Sequence, residues 1–170
     1  MTGSAEEHRR AARRQVADCA VLTISDSRTP ETDGGGDLIE AALTAAGHRV
    51  VERRLVKDEP RRIEALLRRW IDGGTVQLVV TTGGTGLSRR DATYEVVAGL
   101  LDKTLDGFGE LFRMLSYQQV GAAAMLSRAV AGLAGETLIF TLPGSPNAVR
   151  LALDKLIVPE LSHLLWERRR

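Results

Sequence analysis

The densest run of reactive groups is "TTGGTGLSRRDATYE", residues 81–95. Gly83, Gly84 and Gly86 follow an apolar stretch, and Arg89 and Arg90 stand directly before Asp91. Glycines let the backbone approach an anion closely and adopt positive φ. Successive N–H groups so freed can cradle phosphate oxygens. Thr82 and Thr85 add hydroxyl donors, while Arg28, Arg89 and Arg90 can offset phosphate charge. The loop is neither a P-loop nor a dinucleotide fingerprint, because no Gly-Lys-Ser/Thr follows and the glycine spacing differs. The same spacing also suits a plain tight turn from strand to helix. Asp91 reads either as a first-turn acid of the next helix or as a carboxylate held near phosphates. Two such anions repel unless a metal joins them, and Mg2+ is bound by one or two carboxylates plus substrate phosphates. Asp58 is the natural second ligand; it also suits a cap for a helix starting at Pro60. Asp26 carries the same ambiguity, as a turn residue or a site acid.

Other chemistries find little support. His8, His48 and His163 are too scattered for a metal set or for a base beside a nucleophilic serine. Cys19 is the sole cysteine, set in the apolar "CAVLTIS", and reads as an inert buried thiol. It fits a reducing cytosol. Twenty-three basic and 22 acidic residues give a formal charge of +1, so no global field draws the chain to nucleic acid or membrane. No apolar run approaches the roughly 20 residues of a membrane span, and no signal core follows the basic N-terminus. A soluble, cytoplasmic protein is expected, with a charged tail over 1–15 and one domain over 16–170.

The elements that must position these groups alternate. Strands are expected at 19–25, 48–56, 76–83 and 136–144. Helical patterns occupy 37–47, 60–74, about 93–101 and about 108–120, then 122–134 and the C-terminal stretch, with a kink at Pro159. In the segment opening on Pro60, Ile63, Leu66, Leu67 and Trp70 fall on one helical face. Such alternation predicts an α/β fold, a three-layer sandwich whose mostly parallel central sheet is flanked by helices on both faces. Ligands of such sheets sit beyond the carboxyl ends of the strands. Those ends carry "SDSR" (25–28), "KDE" (57–59), "TGGTG" (82–86) and "LPGSPN" (142–147). Ser25 and Ser145 are candidates there for phosphate or ring contacts, or simple caps. Four such ends on one rim argue for a site more strongly than any one alone.

"TISD", the Asp-Glu pair after the second strand, "TTGGTG" with its "RRD-T", "GFGE", "MLSR" and "LPGSP" occur in that order. This ordered set resembles the MoaB/MogA family of molybdenum cofactor biosynthesis over roughly residues 16–160, and the chain length resembles the MoaB-type branch. The resemblance implies a molybdopterin-binding domain and a molybdopterin adenylyltransferase, with molybdopterin and ATP as co-substrates and Mg2+ as cofactor. It implies Asp58 and Asp91 as catalytic residues near the metal. Ser25, Asp26, Thr82, Gly83, Gly84, Thr85, Gly86, Arg90, Glu110, Pro143, Gly144 and Ser145 are implied as substrate- or nucleotide-binding. It further implies a homotrimer or homohexamer and a possible handover to a molybdenum insertase. A non-catalytic molybdopterin-binding or carrier protein is the alternative. The small-residue helix expected over 122–134 is a candidate packing face for oligomers.

Overall fold

The structure, a computed structural model, describes residues 15–169. The charged segment expected over 1–15 therefore lies outside the described residues except for Gln15. Six strands form one sheet: β1 (Asp18–Ile24), β2 (Arg49–Val56), β3 (Leu78–Thr82), β4 (Lys103–Thr104), β5 (Val130–Ala134) and β6 (Thr137–Leu142). Their order is β2-β1-β3-β6-β5-β4. The first four in that order run parallel, while β5 and β4 are antiparallel additions at one edge. The helices are α1 (Gly34–Ala45), α2 (Pro60–Gly73), α3 (Thr93–Leu100), α4 (Asp106–Val120), α5 (Pro146–Ala152) and α6 (Val158–Glu167). None is long and apolar enough to cross a membrane among the described residues.

The period-two alternation of strand side chains sorts the core into two layers. Cys19, Val21, Leu78, Val80, Leu138 and Phe140 face one side and pack with residues of α1, α4, α5 and α6. Ala20, Leu22, Ile24, Val79 and Ile139 face the other and pack with α2 and α3. On α2 the apolar stripe buries Ile63, Leu67 and Trp70, and the Trp70 indole donates to Glu52 at 2.7 Å. Cys19 is fully buried, and burial, with Asp18 nearby, pushes its thiol up to about 12. At neutral pH it is therefore not a nucleophile.

Two segments depart from expectation. Residues 122–134 do not form a helix. Gly121–Leu126 is a 3-10 turn, and the rest supplies β5. Alanine and leucine favour helix locally, but pairing on both sides of β5 outweighs that weak preference. Gly132 marks the reason, because a Cβ there would lie 2.1 Å from the Lys103 carbonyl oxygen of β4. The two-residue turn Gly135-Glu136 then returns the chain into β6. At the C-terminus, a π turn over Leu153–Ile157 joins α5 to α6 just before Pro159. Proline lacks the N–H needed for regular helical bonding, and the wider turn absorbs the mismatch.

Candidate functional site

The chain passes from β1 to β2 on one side and then crosses back from β2 to β3 on the other side of β1, so the strand order reverses there. A crevice opens at such a switch point, beyond the carboxyl ends of the strands. Here it is a cleft of about 480 Å3 lined by Ser25, Asp26, Arg28, Asp58, Gly83, Gly84, Thr85, Gly86, Asp91, Pro143 and Gly144, with Ile24 and Leu126 as apolar wall.

The loop after β3 is bent by Gly83 (φ +95°) and Gly84 (φ +65°). It is tied to neighbouring strand ends by backbone bonds. Gly83 N–H donates to the Leu142 carbonyl at 3.0 Å, and Thr93 N–H donates to the Gly84 carbonyl at 2.9 Å. Glycine is required because the carboxylates sit against this backbone. A Cβ on Gly84 would lie 2.7 Å from Asp58 Oδ2 and 2.2 Å from Thr93 Oγ1, and one on Gly86 would lie 2.6 Å from Asp91 Oδ2. The loop therefore brings Asp58 and Asp91, 33 positions apart in sequence, to two of its own glycines.

Neither aspartate is spent on helix capping. The cap position before α2 belongs to Glu59, with no side-chain bond. Asp58 is 8% exposed, and its Oδ1 is buried without a hydrogen-bond partner. Burial pushes its carboxyl above the usual range, and the Asp91 and Asp26 charges push the same way; the Ala92 N–H and Arg90 offset part of this. Asp91 Oδ2 accepts from Ser88 N–H at 3.1 Å inside the loop. Asp26 accepts from Asp58 N–H at 3.3 Å and pairs with Arg90 at 3.0 Å, joining the β1 and β3 loops. A buried carboxylate oxygen without a donor, close to other acids, is suited to a cationic partner. Among the described residues no group of three or more His, Cys, Asp and Glu could hold a metal. The two carboxylates of Asp58 and Asp91 are of the kind that Mg2+ uses together with substrate phosphates, and are too few for an all-protein cage.

Other sequence-chosen residues take varied places. Ser25 Oγ accepts from the N–H groups of Ser27 and Arg28, shaping the β1 loop. The Thr82 hydroxyl donates to the Pro143 carbonyl at 2.9 Å, pinning β3 to the last loop rather than facing the cleft. Ser145 caps α5 by accepting from Ala148 N–H at 3.2 Å and lines the adjoining pocket with Asn147 and Gln119. Arg90 borders the site through Asp26. Glu110 is exposed on α4 and lines a separate depression of about 140 Å3 with Tyr94, Asp106 and Arg113. The single chain does not bring it to the cleft. Arg28, weighed in the sequence only for charge, also donates to the Gly144 carbonyl at 3.0 Å and so joins the β1 and β6 loops. Leu126 was not anticipated in the cleft wall; its only sequence signal was membership in "MLSR".

A family model described as a probable molybdopterin binding domain matches residues 20–163. The chain is similar to molybdenum cofactor biosynthesis protein B of Staphylococcus carnosus strain TM300, with 52% identity over 152 residues, 88% of this chain and 89% of that protein. It is similar to the protein of the same name from Bacillus cereus strain ATCC 14579, with 47% identity over 168 residues, 98% of this chain and 99% of that one. A crystal structure of a molybdenum cofactor biosynthesis protein B superposes with a TM-score of 0.88 at 47% identity, covering 92% of this chain and 98% of that chain.

Proposed function

The chain belongs to the MoaB/MogA family of molybdenum cofactor biosynthesis, and on that premise we propose that its cleft adenylylates molybdopterin. An oxygen of the molybdopterin terminal phosphate attacks the α-phosphorus of ATP. The new phosphoanhydride bond forms as the bond to the β-phosphate breaks, and pyrophosphate leaves. The observation that carries this reading is the pairing of Asp58 and Asp91 against the glycine loop in one cleft.

The chemistry asks little of a base. A phosphate monoester has a second pKa near 6, so at neutral pH it is already a nucleophile. The chain's task is to position two polyanions in line and offset their charge. Gly83 N–H is spent on the Leu142 carbonyl, so the backbone N–H groups of Gly84 to Gly86 are the ones to meet phosphate oxygens, and Arg28 and Arg90 supply positive charge at the rim. Asp58 and Asp91 would hold Mg2+, which supplies phosphate neutralisation when bound. This accounts for a site without histidine. Recovery of the α-phosphate label of ATP in molybdopterin, with unlabelled pyrophosphate released, is the test. The product then passes to a molybdenum insertase.

The same reading includes assembly as a homotrimer or homohexamer. Leu111, Met114, Tyr117 and Val120 on α4 are about half exposed or more, and Met125 and Leu126 extend the apolar surface beyond it. A patch of this kind supports self-association. The expected packing face thus moves from 122–134, now turn and strand, to α4. Light scattering on the full chain is expected to give three or six times the 18.5 kDa of one chain, and a monomer overturns this part.

A further inference from the structure

Arg128 sits between the 3-10 turn and β5, outside the cleft lining, yet its guanidinium makes three contacts, one to the glycine loop and two to α3. Nη1 donates to the Gly86 carbonyl at 2.9 Å. Nη2 pairs with Glu95 on α3. The guanidinium carbon lies 4.5 Å from the centre of the Tyr94 ring. Its side chain is only 21% exposed.

We infer that Arg128 is a positioning residue that sets the place of the Asp91 carboxylate through Gly86. Residues 86–91 belong to neither strand nor helix. Within them, Asp91 bonds to Ser88 and so shares the motion of its own loop. Gly86 backs the Asp91 carboxylate, with its notional Cβ site 2.6 Å from Oδ2. Arg128 clamps that same glycine to α3 and to the entry of β5. The Arg90–Asp26 pair also holds the loop, but its guanidinium is 67% exposed against 21% for Arg128, and cations held in water contribute little through such pairs, the exposed Glu95 contact of Arg128 included. A planar guanidinium can hold a carbonyl, a carboxylate and a ring face at once, whereas an ammonium cannot.

This inference rests on the adenylylation reading for its kinetic arm only, and the arms separate the two. Arg128→Met and Arg128→Lys are compared with the native protein. Amide hydrogen exchange over residues 84–91 is expected to accelerate about tenfold or more in Arg128→Met, while Tm stays within about 3 °C, as for other substitutions outside the core. Mn2+ binding, read by electron paramagnetic resonance, is expected to weaken in the same variant. With molybdopterin and ATP, kcat is expected to fall about 100-fold, the scale set by a misplacement of about 1 Å, with KM for ATP changed less than threefold. Arg128→Lys restores charge without the fork and is expected to recover only a minor part. Native loop exchange and native Mn2+ affinity in Arg128→Met overturn the inference, as does full rescue by lysine. If Arg128→Met does not fold, Glu95→Gln and Tyr94→Leu each remove one contact of the clamp and are read by the same exchange and Mn2+ measurements. An inactive native protein whose loop still loosens on substitution overturns the adenylylation reading and leaves the clamp standing.

Discussion

Asp58→Asn is expected to lower adenylylation by roughly 1000-fold, the scale of losing one preorganised electrostatic partner, and at the same time to make the protein more stable. The two effects have one cause. Asp58 is 8% exposed with Oδ1 unpartnered, and Asp91 and Asp26 add like charge. Its folded pKa is raised, so its favourable contribution is complete below the unfolded value, near 3.9, and is lost as pH rises through the folded value. At neutral pH the ionised group therefore costs stability. Asparagine keeps the shape and removes the charge. A gain of about 1 kcal/mol, the low end for an unsatisfied buried polar group, corresponds to a Tm rise of roughly 2–4 °C in a domain of this size. The gain should shrink as pH falls through the raised folded value of Asp58, because the native carboxyl then takes up a proton itself. Saturating Mg2+ should also shrink it, because a cation bound at Asp58 stabilises only the native protein. Scanning calorimetry at pH 7 and pH 4, with and without Mg2+, reads both trends. A variant less stable than native at pH 7 without metal contradicts the reading of Asp58 as a strained ligand.

The second large effect is structural and falls on Gly83. Its φ is +95°, and a Cβ would sit 2.1 Å from the Ile24 carbonyl oxygen. That oxygen is backbone of β1, which is paired on both sides by β2 and β3, and cannot swing aside as a side chain would. Gly83→Ala combines left-handed strain of about 1–2 kcal/mol with overpacking of about 1–3 kcal/mol. A loss of about 3 kcal/mol lowers Tm by roughly 6–12 °C. Gly107→Ala in the first turn of α4, where nothing lies within 4 Å of the new methyl, should stay within about 2 °C of native. Equal effects from the two substitutions contradict the tight approach of β1 and the loop.

The strand–helix alternation made the parallel part of the sheet and its chemical rim legible. Buried parallel strands such as β3 read as unbroken apolar runs, and α2 announced itself through Pro60 and its stripe of Ile63, Leu67 and Trp70. The antiparallel edge was not legible. β4 is two residues long, and β5 is rich in alanine, so neither carries a period; the Gly135-Glu136 turn was the signal that could have shown the hairpin. Within the site, residue type and position at a strand end pointed to Asp58, Asp91 and the glycines. What sequence could not reveal was which polar groups were already occupied. The Thr82 hydroxyl looks free in sequence but is taken by the Pro143 carbonyl, while Asp58 looks like a cap and has none to make. Glu110 stands in a block resembling the family's, but helix geometry turns it to another depression. Arg128 shows in sequence only as a letter of "MLSR", because its three partners lie 33 or more positions away.

If the cleft joins nucleotide to pterin, Asp91 is needed for the joining. One experiment addresses it most directly. Native protein and Asp91→Asn, each checked for folding, are incubated with molybdopterin, ATP and Mg2+, and the products are separated by chromatography. Adenylylated molybdopterin and pyrophosphate are expected in equal amounts from the native protein and neither from the variant. Tight retention of molybdopterin by the native protein without either product would contradict this, and would make the glycine loop a grip on the pterin phosphate rather than a place of reaction.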